Sequence, residues 1–353
     1  MRSVCSVLSD MKKHVNIPIF IPHLGCPNQC VFCNQRTISG VDRFDVSSVE
    51  REIEDALSTI DSSQEAEIAF FGGSFTGIDR DLMISLLKIA YRYIQDGRVS
   101  SIRCSTRPDY IDEEILGILK KYGVKTIELG LQSSSDEVLR LSKRGHSRID
   151  EIKAVDMIVE HGFDLVGQMM IGLPGSTLES ELETANFIIK HGAKGARIYP
   201  TVVFYGTELC EMSIHGEYSP ISLDDAIARS AYVLEVFLDH GVDVIRIGLC
   251  ASENLANDEK YYAGPNHPAL GELVENAVYY NKIKRCLDET PHNGSTLCVR
   301  VAKGCLSKAI GQKKSNTSRL ISEYGFSEVK FKEDDSLSAY ELKIEEERKR
   351  ECT

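Results

Sequence analysis

The chain has 353 residues, enough for one large domain and a small one, and its 42% apolar content is ordinary for a globular protein. No run approaches the ~18 apolar residues of a membrane span, and residues 1–16, polar and charged throughout, lack the apolar core of a secretory signal. A net charge of −12 argues against sequence-independent nucleic-acid binding by the whole surface.

After a leader over residues 1–16, residues 17–21 read as a short buried strand. Strands at 68–71, 99–104, 125–129, 165–171 and 196–199 then alternate with helices near 47–60, 80–95, 112–122, 136–141, 150–161 and 179–191. Six strands alternating with helices imply a parallel sheet with right-handed crossovers. The expectation is an α/β fold, a partial (β/α)6 TIM-like barrel open on one side; periodicity alone also allows a doubly wound sheet. Asp112-Glu113-Glu114 sets acids at a helix N-terminus, and Gly123 and Gly162 follow helical runs as C-caps. A helix opening at Ser222 ends at Gly241, and 244–247 reads as a further strand. Residues 250–272 read as loop around Gly264-Pro265-Asn266-His267-Pro268. The aromatics of that loop, Tyr261 and Tyr262, suit either a substrate face or a rigid connection, and His267 reads as structural.

The core domain is therefore expected over 17–270, a connecting helix and linker over 271–295, and a small α+β module over 296–353. The module reads as strand 296–301, short helix 306–310, the turn Gly311-Gln312-Lys313-Lys314, a helix from Ser315 or Asn316 to 324, and strands at 329–332 and 339–344. It resembles a KH-type module, which grips nucleotides with a Gly-x-x-Gly turn between two helices; here Lys314 replaces the second glycine. From Arg300 onward there are 12 basic and 10 acidic residues, and residues 303–319 hold five basic residues and no acidic one. That local patch keeps RNA contact open against the overall acidity, with a small cap over the barrel as the other reading.

The first strand leads into Cys26-Pro27-Asn28-Gln29-Cys30-Val31-Phe32-Cys33, a C-x3-C-x2-C spacing. Three closely spaced thiolates can each take one iron of a cubane [4Fe-4S] cluster and leave the fourth iron open. A fourth ligand from elsewhere would close the site, and zinc held by the three cysteines with His23 or another histidine is the other alternative. The remaining cysteines, Cys5, Cys104, Cys210, Cys250, Cys286, Cys298, Cys305 and Cys352, are scattered and form neither a disulfide framework nor a second cluster motif. They read as free thiols of a reducing, cytoplasmic protein.

About 40 residues on, Phe71-Gly72-Gly73-Ser74-Phe75-Thr76 follows the second strand, where glycines let the backbone approach a ligand. Then come Ser105-Thr106-Arg107-Pro108-Asp109-Tyr110, Glu128-Leu129-Gly130-Leu131-Gln132-Ser133, Lys143-Arg144-Gly145-His146 and Met169-Met170-Ile171-Gly172-Leu173-Pro174-Gly175. With the cysteine loop, these stretches resemble the radical S-adenosylmethionine (SAM) superfamily over residues 15–270. Within it they resemble the radical-SAM domain of the Elongator catalytic-subunit family and, more distantly, oxygen-independent coproporphyrinogen oxidase. Two departures stand out: the first two cysteines are closer together than in that family, and the residues after the resemblance are too few for its acetyltransferase domain.

The resemblance implies a [4Fe-4S] cluster on Cys26, Cys30 and Cys33 and a SAM site. Phe32 would lie near the adenine, Gly72, Gly73 and Ser74 at the amino group, Gln132 and Arg144 on the amino-acid end, and Gln168 near the ribose. Arginine suits a carboxylate because its planar fork offers parallel donors. Ser105 stands where relatives often carry glutamate, His146 reads equally as a capping or packing residue, and Glu128 as an orienting one. The implied activity is reductive cleavage of SAM to a 5′-deoxyadenosyl radical, fed by a cellular electron donor and used to modify RNA, with tRNA as the expected partner and no membrane. The alternatives are a radical-SAM oxidase of a small molecule such as a tetrapyrrole, or a non-catalytic Fe–S protein that binds RNA or haem.

Overall fold

The computed structural model describes residues 14–21, 24–26, 30–34, 37–38, 44–61, 63–249, 260–289 and 296–347. Most of the expected leader, His23, Pro27 to Gln29, part of the 250–272 loop, the end of the linker and the charged tail lie outside the described residues. Strands β1 (His14–Phe20), β2 (Glu65–Phe71), β3 (Ser101–Thr106), β4 (Val124–Gln132), β5 (Asp164–Ile171) and β6 (Gly195–Pro200) stand side by side in chain order. The short β7 (Val203–Phe204) leaves this sheet, and β8 (Asp243–Ile247) returns to pair with β6. Every pairing in the sheet is parallel.

A doubly wound sheet would reverse its strand order at a switch point. This order never reverses, so right-handed crossovers place the helices on one face and the sheet curves into an open half-barrel. The partial barrel is as expected, with two corrections: it has seven strands rather than six, and β1 starts inside the span read as leader. The seventh strand is the segment read separately at 244–247.

The crossover helices are α1 (Val49–Thr59), α2 (Arg80–Gln95), α3 (Glu113–Lys121), α4 (Asp136–Leu141), α5 (Arg148–Glu160) and α6 (Leu178–Lys190). A short α7 (Glu208–Ile214) and the longer α8 (Leu223–Asp239) follow. Side chains of Asp79, Asp112, Ser147, Thr177, Thr207 and Ser222 accept from backbone N–H groups of the first turns they precede. Each satisfies a donor that a helix start leaves open. The β7 strand and α7 were not foreseen: two residues are too few for a period, and the Thr207 cap is their only local signal.

Side chains alternate across a strand. On the outer face Ile68, Ile102, Ile127, Leu129 and Ile198 are buried with Leu86, Leu116, Ile158, Ile188 and Phe237 from the helices and their flanks. The concave face is charged. Glu67, Arg103, Glu128 and Arg197, all buried, form a chain of ion pairs across β2, β3, β4 and β6. Arg103 Nε lies 2.5 Å from Glu67 Oε2, and its Nη1 lies 2.8 Å from Glu128 Oε1. Arg197 donates from Nε at 2.7 Å and from Nη2 at 2.8 Å to the two oxygens of Glu128.

The small module has the sheet order β11 (Glu328–Glu333), β10 (Thr296–Val301), β12 (Leu342–Glu347), with β10 parallel to β11 and antiparallel to β12. The last strand starts three residues later than expected because Tyr340 sits in a left-handed turn, φ 63°, and packs against both apolar cores. A third small sheet pairs β7 with β9 (Tyr261–Ala263), inside the segment read as loop. Helix α9 (Leu270–Asp288) gives Leu270, Val274 and Val278 to the barrel core and Tyr279, Tyr280, Ile283 and Leu287 to the module core. Helices α10 (Leu306–Ile310) and α11 (Ser315–Tyr324) flank the lysine turn. Among the described residues, no helix is long and apolar enough to cross a membrane.

Glu128→Ala would leave the buried Arg197 without its carboxylate and Arg103 with Glu67 alone, so urea melts should show a loss of about 3–5 kcal/mol. Burial raises the Glu128 pKa, but Arg197 and Arg103 outweigh it and hold it below the usual carboxylate range. Its contribution is therefore complete above the ordinary carboxylate pKa and should fade as pH falls through the lower folded value. A gap between wild type and Glu128→Ala that stays constant down to the acid transition would contradict this.

Candidate functional site

The loops at the C-terminal ends of β1 to β5 meet at one end of the barrel. The cysteine loop has almost no regular structure of its own and is held by three sets of contacts. Gly25, with φ 76°, lies so close to the chain after β2 that a Cβ there would stand 2.3 Å from Ser74 O and 2.6 Å from Gly77 C. Val31 N donates to Ser142 O at 3.2 Å, and Leu209 N donates to Val31 O at 2.8 Å. Val31 shares an apolar cluster with Val203, Leu209, Cys210 and Tyr218, against which Phe32 packs. The unforeseen β7 and α7 thus form a wall of the cysteine loop.

The thiols sit in polar surroundings, with Cys26 and Cys33 partly exposed. Cys30 is buried, and Cys33 N donates to Cys30 O at 3.0 Å. Burial pushes the Cys26 thiol pKa up, while the Ser74 backbone N–H, Arg107 and Arg144 pull it down. Arg144 Nη1 lies 3.3 Å from Cys30 Sγ, and Arg107 Nη1 lies 3.8 Å from it. Among the described residues, no three His, Cys, Asp or Glu side chains are arranged to hold a single metal ion. Cubane ligands need no such convergence, because each thiolate takes a different iron. Cys104, Cys210 and Cys298 are buried free thiols, as expected.

The glycine stretch lies beside this loop. Gly72 has φ 96°, a backbone state that side chains resist. The Ser74 hydroxyl is buried against Thr106 Oγ1 at 3.0 Å, so its side chain joins the scaffold. Gln132 is a non-glycine residue at φ 69°, where the pairing of β4 with β5 shifts register. Its Oε1 is buried without a partner. Arg144 is 5% exposed, donates to Gly130 O through Nη2, and leaves Nε buried and unpartnered. Gln168 lies deeper on the concave face, donating to Glu128 Oε2 at 2.8 Å and Ser105 Oγ at 3.3 Å. The structure therefore brings Cys26, Cys30, Ser74, Gln132 and Arg144 together, sets Gln168 and Ser105 on the charged ladder, and seats Phe32 in the outer wall.

Arg107 lies in the Ser105 to Tyr110 stretch, but nothing in the sequence around it marks it as a site residue. Arg107 is 4% exposed and clamps Asp109 through Nε at 2.9 Å and Nη2 at 3.0 Å, while Nη2 also donates to Arg144 O. Behind this pair, His146 Nε2 lies 3.1 Å from Glu151 Oε1, both side chains fully buried. Burial, then the charges of Arg144 and Arg107, push the His146 pKa down to about 3, so the ring is neutral. Burial raises Glu151 well above the usual carboxylate range. Both shifts favour a neutral carboxyl beside a neutral imidazole, an arrangement that suits His146 as a packing residue. His267 accepts from Ala269 N at 3.1 Å, also a structural role.

The family model of the Radical SAM superfamily matches residues 20–188, and that of the Radical_SAM C-terminal domain matches residues 193–280. The tRNA uridine(34) acetyltransferase of Methanocaldococcus infernus is 35% identical over 142 residues, 39% of this chain and 27% of that protein. Elongator complex protein 3 of Bos taurus is 30% identical over 193 residues, 49% of this chain and 35% of that protein. The matches thus span about a third or less of these curated relatives. Among solved structures, the archaeal Methanocaldococcus infernus Elp3 with an N-terminal deletion superposes with a TM-score of 0.60 at 23% identity. That superposition covers 78% of this chain and 64% of that one, and shows a shared fold. These matches bear out the resemblance to the radical SAM superfamily and to its Elongator members.

The protonated state of Glu151 is testable. Glutamine keeps the shape and an N–H donor for His146 but carries no proton to lose. A raised carboxyl pKa means stability that is complete at low pH and lost as pH rises toward the folded value. Thermal melts of Glu151→Gln and wild type should therefore coincide near pH 4 and separate in favour of the variant by pH 8. Parallel curves across that range would show that Glu151 is ionised.

Proposed function

The chain belongs to the radical SAM superfamily, and from that premise we propose that it is an RNA-modifying member acting on tRNA. Enzymes of this superfamily use a [4Fe-4S] cluster and SAM. Bound together, these supply the one-electron chemistry by which a hydrogen atom is taken from a substrate.

The residues present fit both groups. Cys26, Cys30 and Cys33 would each ligate one iron. Gln132 Oε1 and Arg144 Nε are buried polar atoms without partners, an acceptor and a donor beside Gly130. An amino-acid end, with its ammonium and carboxylate, needs that pair of opposite polarities, and leaving them unmet costs roughly 1–3 kcal/mol each. This observation carries the SAM assignment. In the same reading Arg144 grips the carboxylate, the backbone at Gly72, Gly73 and Ser74 approaches the amino group, Gln168 lies near the ribose and Phe32 beside the adenine. Arg144→Ala, reconstituted anaerobically, should retain wild-type iron and sulfide while SAM affinity by calorimetry drops at least tenfold. Unchanged affinity would remove Arg144 from the site.

Two observations support RNA as substrate. One is the name of the archaeal relative, a tRNA uridine(34) acetyltransferase. The other is the turn between α10 and α11. Lys313 and Lys314 both lie in the left-handed region, φ 54° and 63°, a state that costs a non-glycine residue about 1–2 kcal/mol. Lys314 also sets a cation at the N-terminus of α11, where the helix dipole disfavours it. Anionic phosphate would turn both costs to use. Filter binding of tRNA across a salt series should show tight binding by wild type. The double variant Lys313→Glu/Lys314→Glu should lose at least tenfold, with a salt slope shallower by about 2. Absence of tRNA binding by the wild type would favour a small-molecule substrate instead.

A further inference from the structure

Arg107 has no part in the SAM contacts proposed above, yet it is among the most constrained side chains at the site. Its planar fork is committed on two sides. Nε and Nη2 hold the Asp109 carboxylate at 2.9 and 3.0 Å, and Nη2 also donates to the main chain at Arg144 O. That leaves Nη1, which lies 3.8 Å from Cys30 Sγ. Arg144 Nη1 reaches the same sulfur at 3.3 Å. The Cys26 sulfur feels the charge of both arginines too, but its hydrogen-bond partner is the neutral N–H of Ser74. Two guanidiniums on one ligand sulfur, both about 95% buried, are an unequal arrangement that ligation alone does not require.

We propose that Arg107, fixed by Asp109, is a positioning residue that sets the reduction potential of the cluster through the sulfur of Cys30. The inference rests on the cluster assignment made above. Reduction of a [4Fe-4S]2+ cluster to the 1+ state adds one electron and hence one negative charge, shared with the ligand sulfurs. Hydrogen bonds and cations at those sulfurs favour the reduced state, and burial limits screening of that charge. Arg144 would be drawn toward the SAM carboxylate when the cofactor binds. Arg107 cannot follow, because Asp109 and the Arg144 carbonyl hold it, so its field persists through the cycle. Asp109 has a second consequence: its negative charge offsets part of the Arg107 charge, so the two ends of one ion pair pull the potential in opposite directions.

The test is a dithionite titration of the reconstituted holoenzyme, followed by electron paramagnetic resonance of the reduced cluster, with no SAM turnover involved. Arg107→Gln should make the cluster harder to reduce by about tenfold in the equilibrium constant, a shift of about 59 mV to more negative potential. Asp109→Asn, which keeps the arginine and removes the offsetting charge, should shift the midpoint the other way. Arg107→Lys should lie between Arg107→Gln and wild type. Loosened packing would not give shifts of opposite sign from two partners of one pair. Midpoints equal to wild type in Arg107→Gln and Asp109→Asn, or shifts of the same sign, would overturn the proposal. If Arg107→Gln takes up no iron, Asp109→Asn decides alone: an upward shift supports the proposal and an unchanged midpoint overturns it. If the wild type itself holds no four-iron cluster, the functional reading fails before this one is reached.

Discussion

Glu128 is a carboxylate with no solvent exposure, held in the middle of a parallel sheet by two arginines and an amide. Hydrophobic burial fixes which face each residue takes, but it would tolerate a two-residue slip between strands, because one aliphatic residue then replaces another at modest cost. A buried ion network does not tolerate it. Moving β3 or β6 by two residues relative to β4 would pull Arg103 or Arg197 away from Glu128 and leave buried charge short of its partner. The ladder therefore fixes the register of the central strands, and through them the height at which each strand ends. The loops at those ends inherit their positions from it. Gln168 belongs to the same network, so a residue proposed at the SAM ribose is held by the carboxylate that locks the sheet.

The cysteine loop poses the opposite problem: it must be placed without secondary structure. Backbone contact does what a helix or strand would otherwise do. Gly25 interlocks with the chain at Ser74 and Gly77, so the loops after β1 and β2 define one another. On the other side Val31 is tied to Ser142 at the end of α4 and to Leu209 in α7. Arg144 lies two residues past that tie, with its own N–H bonded to Leu139 O. Ligand sulfurs, glycine backbone and arginine are thus cross-linked through short main-chain bonds. Loading of metal at the cysteines and affinity at Arg144 are separable chemically, yet they share one scaffold.

Much of this was legible in the sequence where a residue type has few uses. Three cysteines at C-x3-C-x2-C, paired glycines after a strand, and an arginine beside Gly145 each announce a chemical task. Helix boundaries marked by Asp112, Ser222 and Gly123 were legible for the same reason. The charged ladder was not, because Glu67, Arg103 and Arg197 are far apart in the chain and an isolated charge in a strand reads as solvent-facing. Arg107 was hidden differently. It sits between Thr106 and Pro108 in a stretch valued as a family marker, and only folding shows its terminal nitrogen beside a sulfur from a loop 77 residues earlier. Glu151 gave no signal at all: a glutamate in the first turn of a helix is what the dipole favours, and nothing local says that this one is buried with its pKa pushed up.

The division read from the predicted elements, a core to residue 270, then a linker and a small module, meets a physical complication in α9. One helix supplies apolar side chains to both cores, and the module core would lose Tyr279, Tyr280, Ile283 and Leu287 without it. The lysine turn hangs on the same helix. Asn316 donates to Asn276 O at 2.8 Å, Lys308 pairs with Glu275 at 2.8 Å, and Tyr340 donates to that same glutamate at 2.8 Å while stacking on Tyr279. Two strained lysines need such an anchor, since a loosely held turn would relax out of the left-handed region. The segment that reads as a connector is therefore a beam common to the barrel and the basic turn. A change in the tilt of α9 would move the lysines and disturb the barrel core together, so charge at the turn and packing at the sheet are mechanically linked.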